Sequence, residues 1–300
     1  MKHRFEGKHS VEYALVRVVQ TLLRPLPVSV VRSAGAALGR GAYVIDRRHR
    51  RIAHENLRAA FPGRSEEERR VIARGVFAHM GRLLLELLRL DGMSSAWLAA
   101  HIETEGDERV VEAYQRGKGV LFFSGHFGYW EIFAIGHALR VNPMALVVRP
   151  LDNPLLDAML SRIRRQTGND VIERQGGVRR ILRALAANQG VGILIDQHLH
   201  GPDAIDVTFF DRRAATTSAL AALALRTGAT VIPVFALPLP HGRYRLIAER
   251  PVEPPSADTP DAVREFTQRC TDVLEMYVRR HPDLWLWMHR RWRTDGTRPE

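Results

Sequence analysis

Apolar positions recur at helical spacing through the first hundred residues, then contract into short runs separated by further helical stretches. Tyr13, Val16, Val19 and Leu23 fall on one helical face. Residues 28–45 are more apolar and rich in glycine. Ile52, Ala53, Leu57 and Phe61 predict a helix over 48–60 that stops at Pro62-Gly63. Ser65 with Glu68 three residues on is a capping box, and it opens a helix that runs to about Leu90. From about residue 100 the pattern predicts strands at 119–123, 144–148, 191–195, 205–210, 230–236 and 243–249. Helices are predicted between them at 128–139, 154–167, 177–188 and 216–227, and the last two strands are close enough to pair as a hairpin. A proline-rich loop at 251–260 precedes a final helix from Asp261 to Arg280. The alternation implies an α/β fold: a mixed, largely parallel sheet flanked by helices, behind a helical N-terminal region. The simplest division is 1–47 and 48–300.

Charge changes the picture of the N-terminal region. The net charge is +11, and all but three of the 44 basic residues are arginine. Residues 1–75 hold 16 Lys/Arg against 7 Asp/Glu, so most of the excess lies in the first quarter of the chain. Such a bias suits an anionic surface, either membrane or nucleic acid. No helix-turn-helix, zinc-finger or aromatic RNA-binding pattern supports nucleic acid. Residues 11–31 include Glu12, Arg17, Arg24, Pro25 and Pro27, which are costly in a bilayer, so interfacial amphipathic helices are expected rather than a span. No cleavable signal peptide is expected. A single cysteine, Cys270, excludes a disulfide framework and a Cys-rich zinc site.

Candidate chemistry centres on residues 120–131, Val-Leu-Phe-Phe-Ser-Gly-His-Phe-Gly-Tyr-Trp-Glu. An apolar strand is broken by Ser124 and Gly125, and His126 then stands at a strand-to-helix turn. A base is placed this way, and Glu131 is the expected carboxylate that fixes its tautomer. Chance yields about one such His-to-acid spacing in a chain of this composition, and His198 with Asp203 is a second instance. Gly125 and Gly128 flank the first pair, so a substrate can approach the backbone there. An ordinary helix N-terminus capped by Ser124 is the plainer alternative. Arg149 and Asn153 follow the strand at 144–148, and Asp196 and Gln197 follow that at 191–195; in open sheets, ligands bind beyond such strand ends. Asp196, His198 and His200 are also a possible metal-ligand set. Thr216 opens a helix whose N-terminus suits an anion or polar head. Trp285, Trp287 and Trp292 alternate with Arg290, Arg291 and Arg293, a composition suited to a membrane interface or to single-stranded nucleic acid.

Seven short segments, in order, resemble the late acyltransferases of lipid A biosynthesis, a family related to phosphatidylinositol mannoside acyltransferases and more distantly to glycerolipid acyltransferases. They are Asn56-Leu-Arg-Ala-Ala-Phe-Pro62, Gly125-His-Phe-Gly-Tyr-Trp-Glu131, Arg149-Pro-Leu-Asp-Asn-Pro-Leu-Leu-Asp157, Asp196-Gln197, Phe209-Phe-x3-Ala-x-Thr216, Gly228-Ala-x-Val-Ile-Pro233 and Trp287-x-His-Arg-Arg-Trp292. The resemblance covers about residues 40–293. It implies a glycerolipid-acyltransferase-like fold and a monomer on the cytoplasmic face of the bacterial inner membrane, peripheral or held by its N-terminus. The activity implied is transfer of a fatty acyl chain from acyl carrier protein or acyl-CoA to a lipid hydroxyl, with no cofactor, metal or nucleic acid. His126 and Glu131 would be catalytic. Arg149, Asn153, Asp196, Gln197 and Thr216 would bind substrate, and backbone at Gly125–Gly128 or the Arg149 fork would hold the oxyanion. Direct attack is expected, because Ser124 lacks a nucleophile-elbow context. Two other readings stay open: a nonenzymatic basic membrane- or nucleic-acid-binding protein, and a metal-dependent hydrolase.

Overall fold

The computed structural model describes residues 2–256 and 261–292, with side chains from Gly7 onward. Five helices lead: α1 (Lys2–Leu23), α2 (Val28–Ile45), α3 (Arg47–Ala60), α4 (Glu66–Leu90) and α5 (Ser95–His101). Then follow β1 (Ile102–Glu105), α6 (Asp107–Gln115), β2 (Val120–Ser124), α7 (Trp130–Arg140), β3 (Met144–Val148), α8 (Pro154–Arg165), β4 (Asp170–Glu173), α9 (Val178–Ala186) and β5 (Gly190–Leu194). The chain continues through β6 (Ala204–Phe209), β7 (Arg212–Thr217), α10 (Ala219–Thr227), β8 (Thr230–Pro238), β9 (Tyr244–Ala248) and α11 (Ala262–Arg280). The predicted capping box at Ser65 is present, with both of its hydrogen bonds.

The main sheet has the order β1-β9-β8-β2-β5-β3-β4. Every neighbouring pair is parallel except β8 with β9, the expected hairpin. Strand β2 explains the continuous apolar run: it is buried on both faces, as central parallel strands are. Leu121 and Phe123 enter a core with α3, α9, α10 and α11, while Val120 and Phe122 enter another under α7. The sheet is thus covered on both sides. Strands β1, β4 and β7 lie outside the predicted set. The first two are only four residues long, and β7 reads Arg-Arg-Ala-Ala-Thr-Thr, with no apolar alternation to mark it. It pairs with β6 as a separate antiparallel ribbon.

The N-terminal helices divide their apolar residues between two faces. Leu23 is buried, with Tyr13 and Val16 packed beside it against Leu85 and Leu88 of α4. This is most of the face predicted to meet a membrane, and it points inward. The exposed apolar residues of α1 are Val11, Leu15, Val18, Val19 and Leu22; α2 adds Val30, Leu38, Val44 and Ile45. The glycines of α2 serve packing. A Cβ at Gly39 would lie 1.9 Å from the Phe77 carbonyl, and one at Gly81 would lie 2.1 Å from the Gly35 carbonyl. Only bare glycine lets α2 and α4 approach so closely. Among the described residues no helix is long and apolar enough to cross a membrane.

Candidate active site

Strands β2 and β5 run parallel in register, Ser124 beside Leu194. Two residues past each stand His126 and Asp196, so the register itself brings them together. The Asp196 carboxylate lies 2.8 Å from His126 Nδ1 and accepts the His126 backbone N–H at 2.7 Å. Its Oδ2 also accepts the Trp285 indole N–H at 2.8 Å. Gly125 is needed here, because a Cβ would meet Asp196 Oδ2 at 2.9 Å and Leu274 at 3.0 Å. Gly128 has φ +57° and sits against the Ala236 carbonyl, where a Cβ would come within 2.1 Å. Both glycines therefore serve the packing of the turn.

The electrostatics follow from burial. Asp196 is 4% exposed. Burial alone would raise its pKa, but the His126 charge and hydrogen bonds, with the Trp285 indole, hold it down to about 2. Burial opposes the His126 imidazolium, yet Asp196 outweighs it and raises the His126 pKa above its ordinary value. With Nδ1–H donated to a carboxylate, Nε2 keeps its lone pair and can accept a proton. The Gln197 side-chain nitrogen lies 3.5 Å from that Nε2.

Glu131 does not make the contact expected of it. Its carboxylate takes two hydrogen bonds from Arg164, at 2.9 and 2.6 Å. It occupies the first turn of α7, which faces α8, whereas His126 stands in the loop before the helix and faces β5. A spacing of five that starts outside a helix does not superpose the two side chains. The carboxylate that contacts the imidazole is that of Asp196, 70 residues away.

The other predicted residues are dispersed. Arg149 has a side chain 79% exposed and lies 3.8 Å from Asp152. Asn153 caps α8 and donates to His9 O and Glu12, tying α8 to α1. Thr216 lies in β7 rather than at a helix end and is fully buried. Its hydroxyl donates to Ala214 O and accepts from Arg291. Ser124 ends β2 and caps nothing, since α7 begins at Trp130. Trp285, Trp287 and Arg291 are 1% exposed or less, so this part of the C-terminal run is core rather than a membrane or nucleic-acid surface. Arg293 lies outside the described residues. Asp196 spends both oxygens on His126 and Trp285, and among the described residues no three His, Cys, Asp or Glu stand together as a metal-ligand set.

Sequence reasoning missed what holds the turn. The Gly128 N–H donates to Leu284 O and the Leu286 N–H to His126 O, so the C-terminal segment clasps it. Asn56 of α3 pins that segment through Trp287 O and His289 O, at 2.8 and 2.7 Å. His79 of α4 lies 3.1 Å from Gly128 O; burial lowers its pKa to about 4, so it stays neutral and donates. Tyr129 and Tyr244 both donate to the buried Glu86, which also pairs with Arg32 of α2 at 2.9 Å. Beside the turn lies a mainly apolar cleft with a volume of about 70 Å³. Ser124, Trp130, Glu131 and Arg164 line it together with Phe122, Met144, Leu146 and Gly192. Register aligns Phe122, Gly192 and Leu146 across three strands, and the missing side chain at Gly192 helps keep the space open. The His126 ring packs edge-on against Trp130, 5.2 Å between centroids, which joins the dyad to the cleft.

The sequence matches the family described as bacterial lipid A biosynthesis acyltransferase over residues 2–294. It is 30% identical to the lipid A biosynthesis lauroyltransferase of Escherichia coli K12, over 93% of this chain and 89% of that protein. It is 27% identical to the palmitoleoyltransferase of the same organism (90% and 87% covered) and 28% identical to its myristoyltransferase (84% and 78%). Among solved structures, the 1-acyl-sn-glycerophosphate acyltransferase PlsC of Thermotoga maritima aligns over 90% of this chain and 97% of its own. Its TM-score of 0.39 and 15% identity make that likeness too distant to argue from. With a match that spans nearly every residue, this O-acyltransferase belongs to the bacterial lipid A biosynthesis acyltransferase family.

Proposed function

We propose that the protein transfers a fatty acyl chain from a thioester, on acyl carrier protein or coenzyme A, to a hydroxyl of a lipid A precursor, with His126 as general base and Asp196 as its orienting partner. The observation that carries this reading is the His126–Asp196 contact, with Nε2 left to receive a proton beside an apolar cleft. The acyl chain lies in the cleft below Ser124, and the acceptor hydroxyl approaches Nε2 past Gln197. Glu131, locked to Arg164 in the cleft lining, acts on His126 through its charge. Arg149, exposed at the rim, meets a polar or anionic headgroup.

The acceptor is reached from a membrane surface. Val11, Leu15, Val18 and Leu22 follow helical spacing on the outer side of α1, and Leu151 and Leu155 are exposed near the start of α8. Asn153 bonds to α1 from this same loop, so one apolar face borders the loop that follows β3. The protein lies on the cytoplasmic leaflet as a peripheral monomer, with arginines engaging anionic lipid. The test is acyl transfer by purified His126→Ala enzyme. A loss of about 10²–10⁴-fold with an unchanged melting temperature supports the reading. Near-normal turnover removes it.

A further inference from the structure

Attack on a thioester carbonyl drives negative charge onto its oxygen, and that oxygen needs hydrogen-bond donors fixed in place beforehand. In the turn beside His126, four successive backbone N–H groups are already paired within the protein. The N–H of His126 goes to Asp196, that of Phe127 to Gly125 O, that of Gly128 to Leu284 O and that of Tyr129 to Ala236 O. Arg149, the other expected donor, stands out in solvent, where a hydrogen bond is weakened by water.

A side-chain hydroxyl near the dyad offers an alternative donor. Ser124 is 5% exposed, and its hydroxyl has no hydrogen-bond partner. It lines the apolar cleft with Trp130, Glu131 and Arg164. Strand alternation sets Phe122 and Ser124 on the cleft side of β2. Ser124 therefore faces the space a seated chain would fill, two residues before the base. A buried hydroxyl without a partner costs free energy, and a ligand atom that accepts from it would offset that cost.

We propose that Ser124 Oγ donates a hydrogen bond to the thioester carbonyl oxygen and stabilises the oxyanion formed during transfer, an inference that rests on the His126–Asp196 reading above. The acceptor O–H gives its proton to His126 Nε2 as the new C–O bond forms. The carbonyl π pair moves onto the oxygen, which Ser124 holds without giving up its own proton. Collapse re-forms the carbonyl and breaks the C–S bond, and the departing thiolate takes the proton from the imidazolium. Ser124 forms no bond to the acyl carbon.

The experiment compares Ser124→Ala, His126→Ala and wild-type enzyme. Lauroyl-acyl carrier protein and lauroyl-CoA are the donors, a lipid A precursor in detergent is the acceptor, and thermal unfolding is measured in parallel. Ser124→Ala is expected to lower kcat by about 10²–10³-fold, the usual effect of removing one oxyanion donor. The KM for the donor should stay within about threefold, and the melting temperature should be unchanged or higher, because an unsatisfied hydroxyl has been removed. A kcat that falls less than about tenfold overturns the proposal; so does a loss confined to KM, or a kcat loss matched by a lower melting temperature. If His126→Ala is inactive while Ser124→Ala turns over normally, only the Ser124 role fails. If His126→Ala is itself active, the dyad reading fails first.

Discussion

Around His126 the backbone N–H groups of residues 126–129 are all paired within the protein, and four elements converge to hold a five-residue turn. Along the outer side of α1 the reverse holds: Val11, Leu15, Val18 and Leu22 are each more than half exposed among the described residues. The first region is closed, and its few unspent polar groups face a cleft. The second leaves apolar area in water that about 25 cal/mol per Å² favours burying. On the proposed reading one region is organised for chemistry and the other for an apolar medium, and Asn153 ties α8 to α1.

The strongest way to break this contrast is through the dyad. Asp196→Asn should lower kcat by about 10²–10⁴-fold, because an amide can neither stabilise the imidazolium nor enforce the Nδ1–H tautomer. Steady-state transfer from a lauroyl thioester measures it. Next comes the ion pair beneath the turn. Glu131→Gln leaves the buried Arg164 guanidinium short of its counter-charge and should destabilise the fold by about 3–5 kcal/mol, read by urea unfolding. If Glu131→Gln with Arg164→Met recovers most of that stability but not activity, the pair has a role in catalysis beyond its part in stability.

On the exposed side, Leu15→Asp with Leu22→Asp should leave the melting temperature almost unaltered and release the protein from anionic vesicles, since both residues are solvent-facing. Co-sedimentation measures this; full retention at high salt would mean that α1 is not the docking face. The smallest effect is expected at Gly192. A Cβ there comes within 3.1 Å of the flexible end of Leu146 and makes ordinary contact with Met144 Cε at 3.6 Å and Ala145 O at 4.0 Å. Gly192→Val should therefore fold and shorten the cleft, moving preference toward shorter chains by about fourfold per methylene excluded. Competition between acyl thioesters of different length reads it.

The same contrast explains what the sequence revealed. The run through β2 announced a buried strand, and the Ser-Gly break put His126 at its mouth. The partner was hidden because contact between His126 and Asp196 depends on two distant strands lying side by side in register. Once β2 and β5 are seen as parallel neighbours, the equal two-residue offsets make the pair predictable. Glu131 was the tempting choice because it is local. For α1, helical spacing marked one apolar face, Tyr13, Val16, Val19 and Leu23; most of it packs on α4, while Val11, Leu15, Val18 and Leu22 are the residues left exposed. Strand β7 escaped notice because a ribbon that packs through Ala214 and Thr216 needs no large apolar side chain. The tryptophans near the C-terminus looked like surface because they alternate with arginines, yet Arg291 is itself buried, bonded to Ala215 O and Thr216.

The pairing of His126 with Asp196 is tested most directly by the pH dependence of acyl transfer in wild-type and Asp196→Asn enzymes. Burial opposes protonation of His126, and Asp196 reverses that and raises its pKa above the ordinary value of about 6.5. Since the base must be neutral to act, the wild-type rate should fall as pH drops through this raised pKa. Without the Asp196 charge burial prevails, so the residual activity of Asp196→Asn should persist to a lower pH than wild-type activity does. An acidic limb at the same pH in both enzymes, or a wild-type rate in the variant, would contradict the account.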